Sequence, residues 1–141
     1  MTPSPITTRA FSIADYERAV ELWRGVEGVE ICEGDSREEI ELYLARNPGL
    51  SQVAEDKGEI VGAVLCGHDG RRGFFYHLAV APAFRGRGVG KLMLDECLRG
   101  LAAAGIQRAL ILVADDNVKG HEFWLRRGWD DIAALAMARD I

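Results

Sequence analysis

The stretch from Gly73 to Ala114 constrains the fold most. It runs from GFFYHLAVA through the glycine-rich turn FRGRGVG into KLMLDECLRGLAAAG, and then into ALILVA. Two apolar strands with a helix between them can lie side by side in parallel through a right-handed crossover. The helix is expected over Gly88 to Ala104, with Val89, Leu92, Met93, Cys97 and Leu101 facing inward and Gly105 as a left-handed cap. ALILVA reads as a fully buried strand, which puts the chain in the α/β class.

The flanking segments add simpler elements. Ile6 to Ala10 reads as a strand, and Ser12 with Asp15 opens a helix whose buried face is Tyr16, Ala19, Val20 and Trp23. That helix ends near Gly25 to Gly28, and a second runs from the better capping box Ser36–Glu39 to the Asn47-Pro48-Gly49 breaker. SQVAE, EIVGAVLCG and GFFYHLAVA are separated by Asp56-Lys57-Gly58 and Asp69-Gly70, the pattern of a three-stranded antiparallel meander. A last helix covers Val118 to Arg127 before Gly128, and Trp129 to Arg139 reads as one more strand.

At 141 residues the chain is expected to form one domain over 1–141, and 48% apolar with 28% charged residues suits an ordinary globular protein. A net charge of -5 argues against nucleic acid as a partner. No apolar run approaches the roughly 20 residues of a membrane span, and MTPSPITT lacks the pattern of a signal peptide, so a cytoplasmic address is expected. Cys32, Cys66 and Cys97 are too widely spaced for a disulfide framework and read as buried free thiols. His68, His77 and His121 lack helical metal-ligand spacing, so no metal is expected.

RGRGVG sets Gly86, Gly88 and Gly90 on alternate positions at a helix start, among Arg85, Arg87 and Lys91. Missing side chains let a bulky group approach the backbone, and free amides at the positive end of a helix favour an anion, most simply a phosphate. The Walker A pattern fails, because Arg85 and Leu92 stand where it needs Gly and Ser or Thr. The Rossmann pattern GxGxxG is not met by GxGxG lying after a meander.

Through Arg85, Gly88 and Gly90 the turn resembles the R/Q-x-x-G-x-G/A signature of the GNAT superfamily of N-acetyltransferases. LAVAPAFRGRGVGKLML resembles that family's strand, loop and helix unit. DNVKGHEFWLRRGW resembles its N-x-x-A-x-x-x-Y-x-x-x-G-F segment through Asn117, Gly128 and Trp129. The likeness covers nearly the whole chain and leans toward the YpeA-type branch.

The resemblance implies a mixed, mostly antiparallel central sheet with a splayed parallel strand pair, flanked by helices. It implies acetyl-CoA as co-substrate, with its pyrophosphate on the amides of Arg85, Gly86, Arg87, Gly88, Val89, Gly90 and Lys91. The pantetheine arm would run beside Leu78, Ala79 and Val80, with Asn117 bonding to it and the Val80 N–H as oxyanion donor. The acceptor would be an amine of a small molecule or a peptide, attacking the thioester directly. Pairing of the last strand with a second copy would make a homodimer.

Two departures bear on catalysis. The glutamate that family members often carry on these strands is missing, which leaves Tyr76 and His77 as the nearest titratable groups. Strand alternation should point them to opposite faces, so only one is expected in the cleft, and His77 is the better base. Trp124 occupies the usual tyrosine position, and an indole N–H donates a hydrogen bond without serving as an acid, so it is either such a donor or core packing. Asn117 also suits a helix N-cap. Glu27, Glu30, Glu33 and Asp35 could form an acidic lip for a cationic acceptor, or a solvated loop. The readings from other classes are an acyl-CoA-binding module with little catalysis and a nucleotide-phosphate binder.

Overall fold

The computed structural model describes residues 5–26 and 28–141. In chain order the elements are β1 (Thr7–Ala10), α1 (Tyr16–Arg24), α2 (Arg37–Arg46), β2 (Gln52–Asp56), β3 (Glu59–His68) and β4 (Gly73–Val80). They continue with α3 (Val89–Ala103), β5 (Ala109–Ile111) and α4 (Val118–Arg126). The strands form one sheet in the order β1-β2-β3-β4-β5, antiparallel except for the parallel pair β4 and β5. The crossover, the meander and the mixed sheet are as the sequence predicts.

Local chemistry sets the helix ends. Ser36 Oγ accepts the Glu39 N–H at 3.2 Å while Glu39 Oε1 accepts the Ser36 N–H at 3.3 Å, a reciprocal box that opens α2. Ahead of α1, the Asp15 carboxylate accepts the Ser12 N–H at 2.9 Å, and a short 3-10 turn (Ile13–Asp15) leads into the helix. Beyond α3 the chain turns at Gly105, whose φ of +81° is left-handed.

Helices cover both faces of the sheet. On one, Val89, Met93, Leu94, Cys97 and Leu101 of α3 and Trp124 of α4 pack on Val61, Val64, Cys66 and Phe75. On the other, Ala19, Val20, Leu22 and Trp23 of α1 and Ile40 of α2 pack on Val53, Ala63, Leu65 and Ala79. Gly62 admits α3 to the sheet, because a Cβ there would lie 2.8 Å from Met93 Cε. Leu92, expected inside, is exposed; the buried stripe of α3 takes Leu94 instead, and Leu92 projects from the far side of the helix.

One irregularity decides the shape of β4. Ala63 pairs with Ala79 and Leu65 with Tyr76, so Val64 opposes both His77 and Leu78. The extra residue is a β-bulge, and His77 takes a left-handed φ of +54° to make it. Beyond the bulge β4 turns away from β5, whose ladder stops at Phe75 opposite Ile111.

Three strand expectations are corrected here. β5 ends at Ile111 rather than Ala114, because Leu112 to Ala114 have lost their neighbour. It is only partly buried, because it is an edge strand with a partner on one side. Trp129 to Arg139 forms no strand, and residues 130–141 are exposed. The run is rich in alanine, a poor strand former, and the three-residue edge of β5 offers too short a ladder to pair with. Of the cysteines, Cys66 and Cys97 are buried, but Cys32 is exposed, because its loop lies at the surface. The neighbouring Cys66, and then burial, push the Cys97 thiol up. Among the described residues no helix is long and apolar enough to cross a membrane.

Candidate active site

The divergence of β4 and β5 opens a cleft of about 760 Å³. One wall is Phe75 to Val80 of β4, and the other is Ile111 to Ala114. The turn before α3, α4 and residues of the α1–α2 loop, among them Val29 and Glu30, complete the lining.

The glycines of the turn serve different ends. Gly86 and Gly88 have φ of +75° and +78°, conformations that favour glycine, and a Cβ on either would meet nothing within 4 Å. Gly90 lets helices approach: its Cβ would lie 3.1 Å from Phe123 Cζ of α4. The amides of Val89, Gly90 and Lys91 open α3 and have no carbonyl one turn earlier to bond. Gly86, Gly88, Val89, Gly90, Lys91 and Arg85 all line the cleft.

Arg85 Nε donates to the Val80 carbonyl at 3.1 Å, tying the turn to the end of β4. Lys91 Nζ pairs with Asp95 at 2.7 Å. Arg87 does not line the cleft; its guanidinium stacks 5.0 Å from the Phe84 ring centroid.

Tyr76 and His77 both line the cleft, against the expectation that only one would. The bulge is the reason. Tyr76 pairs with Leu65, which faces α1, and after the extra residue the His77 ring lies 5.2 Å from that of Trp23 in α1. Simple alternation would have sent it to the α3 side. His77 Nε2 lies 2.8 Å from Asp35 Oδ2, and both side chains are largely buried, at 15% and 9% exposure.

Asp35 therefore faces inward and is no part of an exposed acidic lip. Its Oδ2 also accepts the Cys32 N–H at 3.1 Å, and its carbonyl accepts the Tyr16 hydroxyl at 2.5 Å. Desolvation, and then the Asp35 carboxylate, hold the Cys32 thiol above its ordinary value. Of the other lip residues, Glu30 lines the cleft, Glu33 does not, and Glu27 lies outside the described residues.

Trp124 lines the cleft from α4 but is only 7% exposed, in edge-to-face contact with Phe123 and Trp129 at 5.4 and 5.0 Å. Packing is its visible role. Asn117 caps α4, with Oδ1 accepting the Gly120 N–H at 3.0 Å. Its Nδ2 faces the α1–α2 loop, where a Cβ on Gly28 would come within 2.9 Å, so loop and helix meet across the cleft. Leu78, Ala79 and Val80 line the cleft.

Sequence reasoning missed Lys119, Phe123 and Arg126 of α4 and Arg127 at its C-cap, which also line the cleft. Their three- and four-residue spacing was a readable signal of one shared helix face.

A mixed sheet split beyond a bulge, with a glycine-rich helix start at the split, defines the class of α/β domain to which this chain belongs. Among solved structures, Ard1 from Thermoplasma volcanium shares the fold with a TM-score of 0.80 at 22% identity, covering 91% of this chain and 84% of that one. The aminoglycoside N-acetyltransferase AAC(6')-Iy shares it with a TM-score of 0.78 at 18% identity, covering 99% and 97%.

An acetyltransferase of Pectobacterium atrosepticum is 38% identical over 114 residues, 77% of each chain. One of Photorhabdus laumondii is 36% identical over 113 residues, 77% of this chain and 76% of that one. The acetyltransferase (GNAT) family profile matches residues 16–129, and the chain belongs to that family. It is an acetyltransferase. The match is to the family as a whole and does not single out the YpeA-type branch.

Proposed function

We propose that this enzyme moves the acetyl group of acetyl-CoA to a primary amine, by direct attack of the amine on the thioester, with His77 as general base. The observation that carries the reading is the polarity of the cleft. Among the described residues Arg85, Lys91, Lys119, Arg126 and Arg127 line it, against the single carboxylate of Glu30, in a chain whose net charge is -5. A polyanion fits the cationic end, and the open amides of Val89, Gly90 and Lys91 fit a diphosphate. His77, Tyr76 and Glu30 supply the chemistry in the same cleft.

Acetyl-CoA supplies the activated acyl group; the remaining tasks fall to this chain. The Val80 amide stabilises negative charge on the carbonyl oxygen, and the strand edge from Leu78 to Val80 orients the pantetheine arm. Trp124 walls the cleft. The leaving thiol, with a reference pKa near 8.5, departs as thiolate without a tyrosine acid. His77 takes the proton of the amine, and Glu30 favours a cationic acceptor at the mouth.

Amine basicity narrows the acceptor. At pH 7 neutralising a lysine amine of pKa about 10.4 costs about 4.6 kcal/mol, against about 1.4 kcal/mol for an α-amine near 8. An imidazole base suits the second, so a small molecule or peptide bearing an α-amine is the favoured acceptor.

Calorimetry with CoA, and thiol release from acetyl-CoA in the presence of glycinamide or the ε-amine of N-acetyl-lysine amide, test the proposal. The expected result is CoA uptake, faster release with glycinamide, and a His77→Gln variant that binds CoA but loses about 100-fold or more in kcat. Absence of CoA uptake would overturn the reading. Uptake without release toward either amine would favour an acyl-CoA-binding module.

A further inference from the structure

We propose that Asp35 is a positioning residue for His77: its carboxylate holds the imidazole proton on Nε2, so that Nδ1 is the atom that receives the proton of the acceptor amine. The inference rests on the reading of His77 as general base and adds which nitrogen acts and what decides it.

The geometry carries most of it. Nε2 lies 2.8 Å from Asp35 Oδ2, with both side chains largely withdrawn from water. An ionised carboxylate only accepts hydrogen bonds, so the nitrogen facing it carries the hydrogen. A neutral imidazole has one N–H, which leaves the lone pair on Nδ1.

Asp35 is held in turn. The Cys32 N–H donates to the same Oδ2 at 3.1 Å, and the Tyr16 hydroxyl grips the Asp35 carbonyl at 2.5 Å. The ring rests against Trp23 with centroids 5.2 Å apart. His77 also adopts a left-handed φ of +54°, uncommon outside glycine, where β4 bulges. The carboxylate, the indole and the bulge together restrict the ring.

The titratable groups around the pair are Tyr16 of α1, Cys32 of the loop, Glu30 on the rim and Tyr76 next along β4. Among the described residues Asp35 is the one whose carboxylate meets the ring.

The step balances within these groups. The amine nitrogen forms a bond to the acyl carbon as the carbon–sulfur bond breaks and its electrons leave on the thiolate. The amine proton passes to Nδ1, and from there to the thiolate or to water. Asp35 keeps its negative charge throughout and stabilises the imidazolium that forms.

A two-bond proton–nitrogen correlation spectrum of the wild-type protein near neutral pH reads the tautomer without any variant or substrate. The expected pattern has His77 Nε2 protonated and Nδ1 bare; the reverse pattern overturns the proposal. In Asp35→Asn that tautomer should lose its dominance. With glycinamide as acceptor, kcat should fall about 10- to 100-fold while the KM for acetyl-CoA holds. The His77→Gln, Asp35→Asn double variant should be no slower than His77→Gln alone. Additive losses would mean that Asp35 acts independently of the histidine, and the proposal fails. If His77→Gln keeps full turnover, the general-base reading falls, and with it the catalytic purpose assigned to Asp35. The tautomer spectrum then reports whether the pairing itself holds.

Discussion

Asp15 accepts hydrogen bonds from Arg9 at 2.8 and 2.9 Å and from the Ser12 N–H at 2.9 Å. The Arg9 guanidinium, more than the Ser12 amide, holds its carboxyl below the ordinary range and outweighs the opposing effect of burial. A depressed folded-state value means that this stability is fully present above the unfolded value, near 3.9, and is lost as pH falls through the folded one. Arg9 is partly exposed, so solvent screens the pair. Asp15→Asn should therefore cost about 1–2 kcal/mol at pH 7, measured by urea denaturation. The gap from wild type should narrow below about pH 4; a gap independent of pH would assign the loss to packing. The capping partner Ser12 was legible three positions away, whereas Arg9 was not, because it reaches Asp15 only once β1 and the helix start are folded together.

At the scale of elements, the turn before α3 shows how similar residues come to do different work. Gly86 and Gly88 answer a backbone requirement, while Gly90 answers to a neighbouring helix. Gly88 is also the N-cap of α3. Gly88→Ala must hold a side chain at φ +78°, at a cost of about 1–2 kcal/mol. Space around the Cβ is open, so the protein should fold, with a lower Tm and weaker CoA binding by calorimetry. An unchanged Tm and affinity would show that the turn is not held in this conformation. Alternate glycines before an apolar helical stripe were enough to locate the turn from the sequence. The bulge in β4 carries no such mark: GFFYHLAV has no glycine or proline at the break, and the extra residue exists only relative to β3.

The whole molecule has one sheet between two apolar layers, and the layers share its strands. Trp23 sits in the α1 layer, and Trp124 and Trp129 belong to the other. Because β3 feeds side chains to both faces, neither layer keeps its partner if the sheet melts, so unfolding should be all-or-none. Urea unfolding followed by far-UV circular dichroism and by the fluorescence of Trp23→Phe, which retains the tryptophans of the α3 side, should give coincident transitions. An earlier fluorescence transition would mean that the α3 layer opens by itself.

The sequence by itself determined the order of elements as far as α4, the helix caps, the parallel crossover and the position of the glycine turn. Each depends on residues close in the chain, where spacing and side-chain type act directly on the backbone. Only the tertiary structure decided that Tyr76 and His77 share a face, that β5 stops at Ile111, and that Asp35 leaves the loop surface to meet His77. Those outcomes depend on register between strands and on contact across 42 residues of chain. Register is a property of two segments together, so neither sequence segment carries it alone.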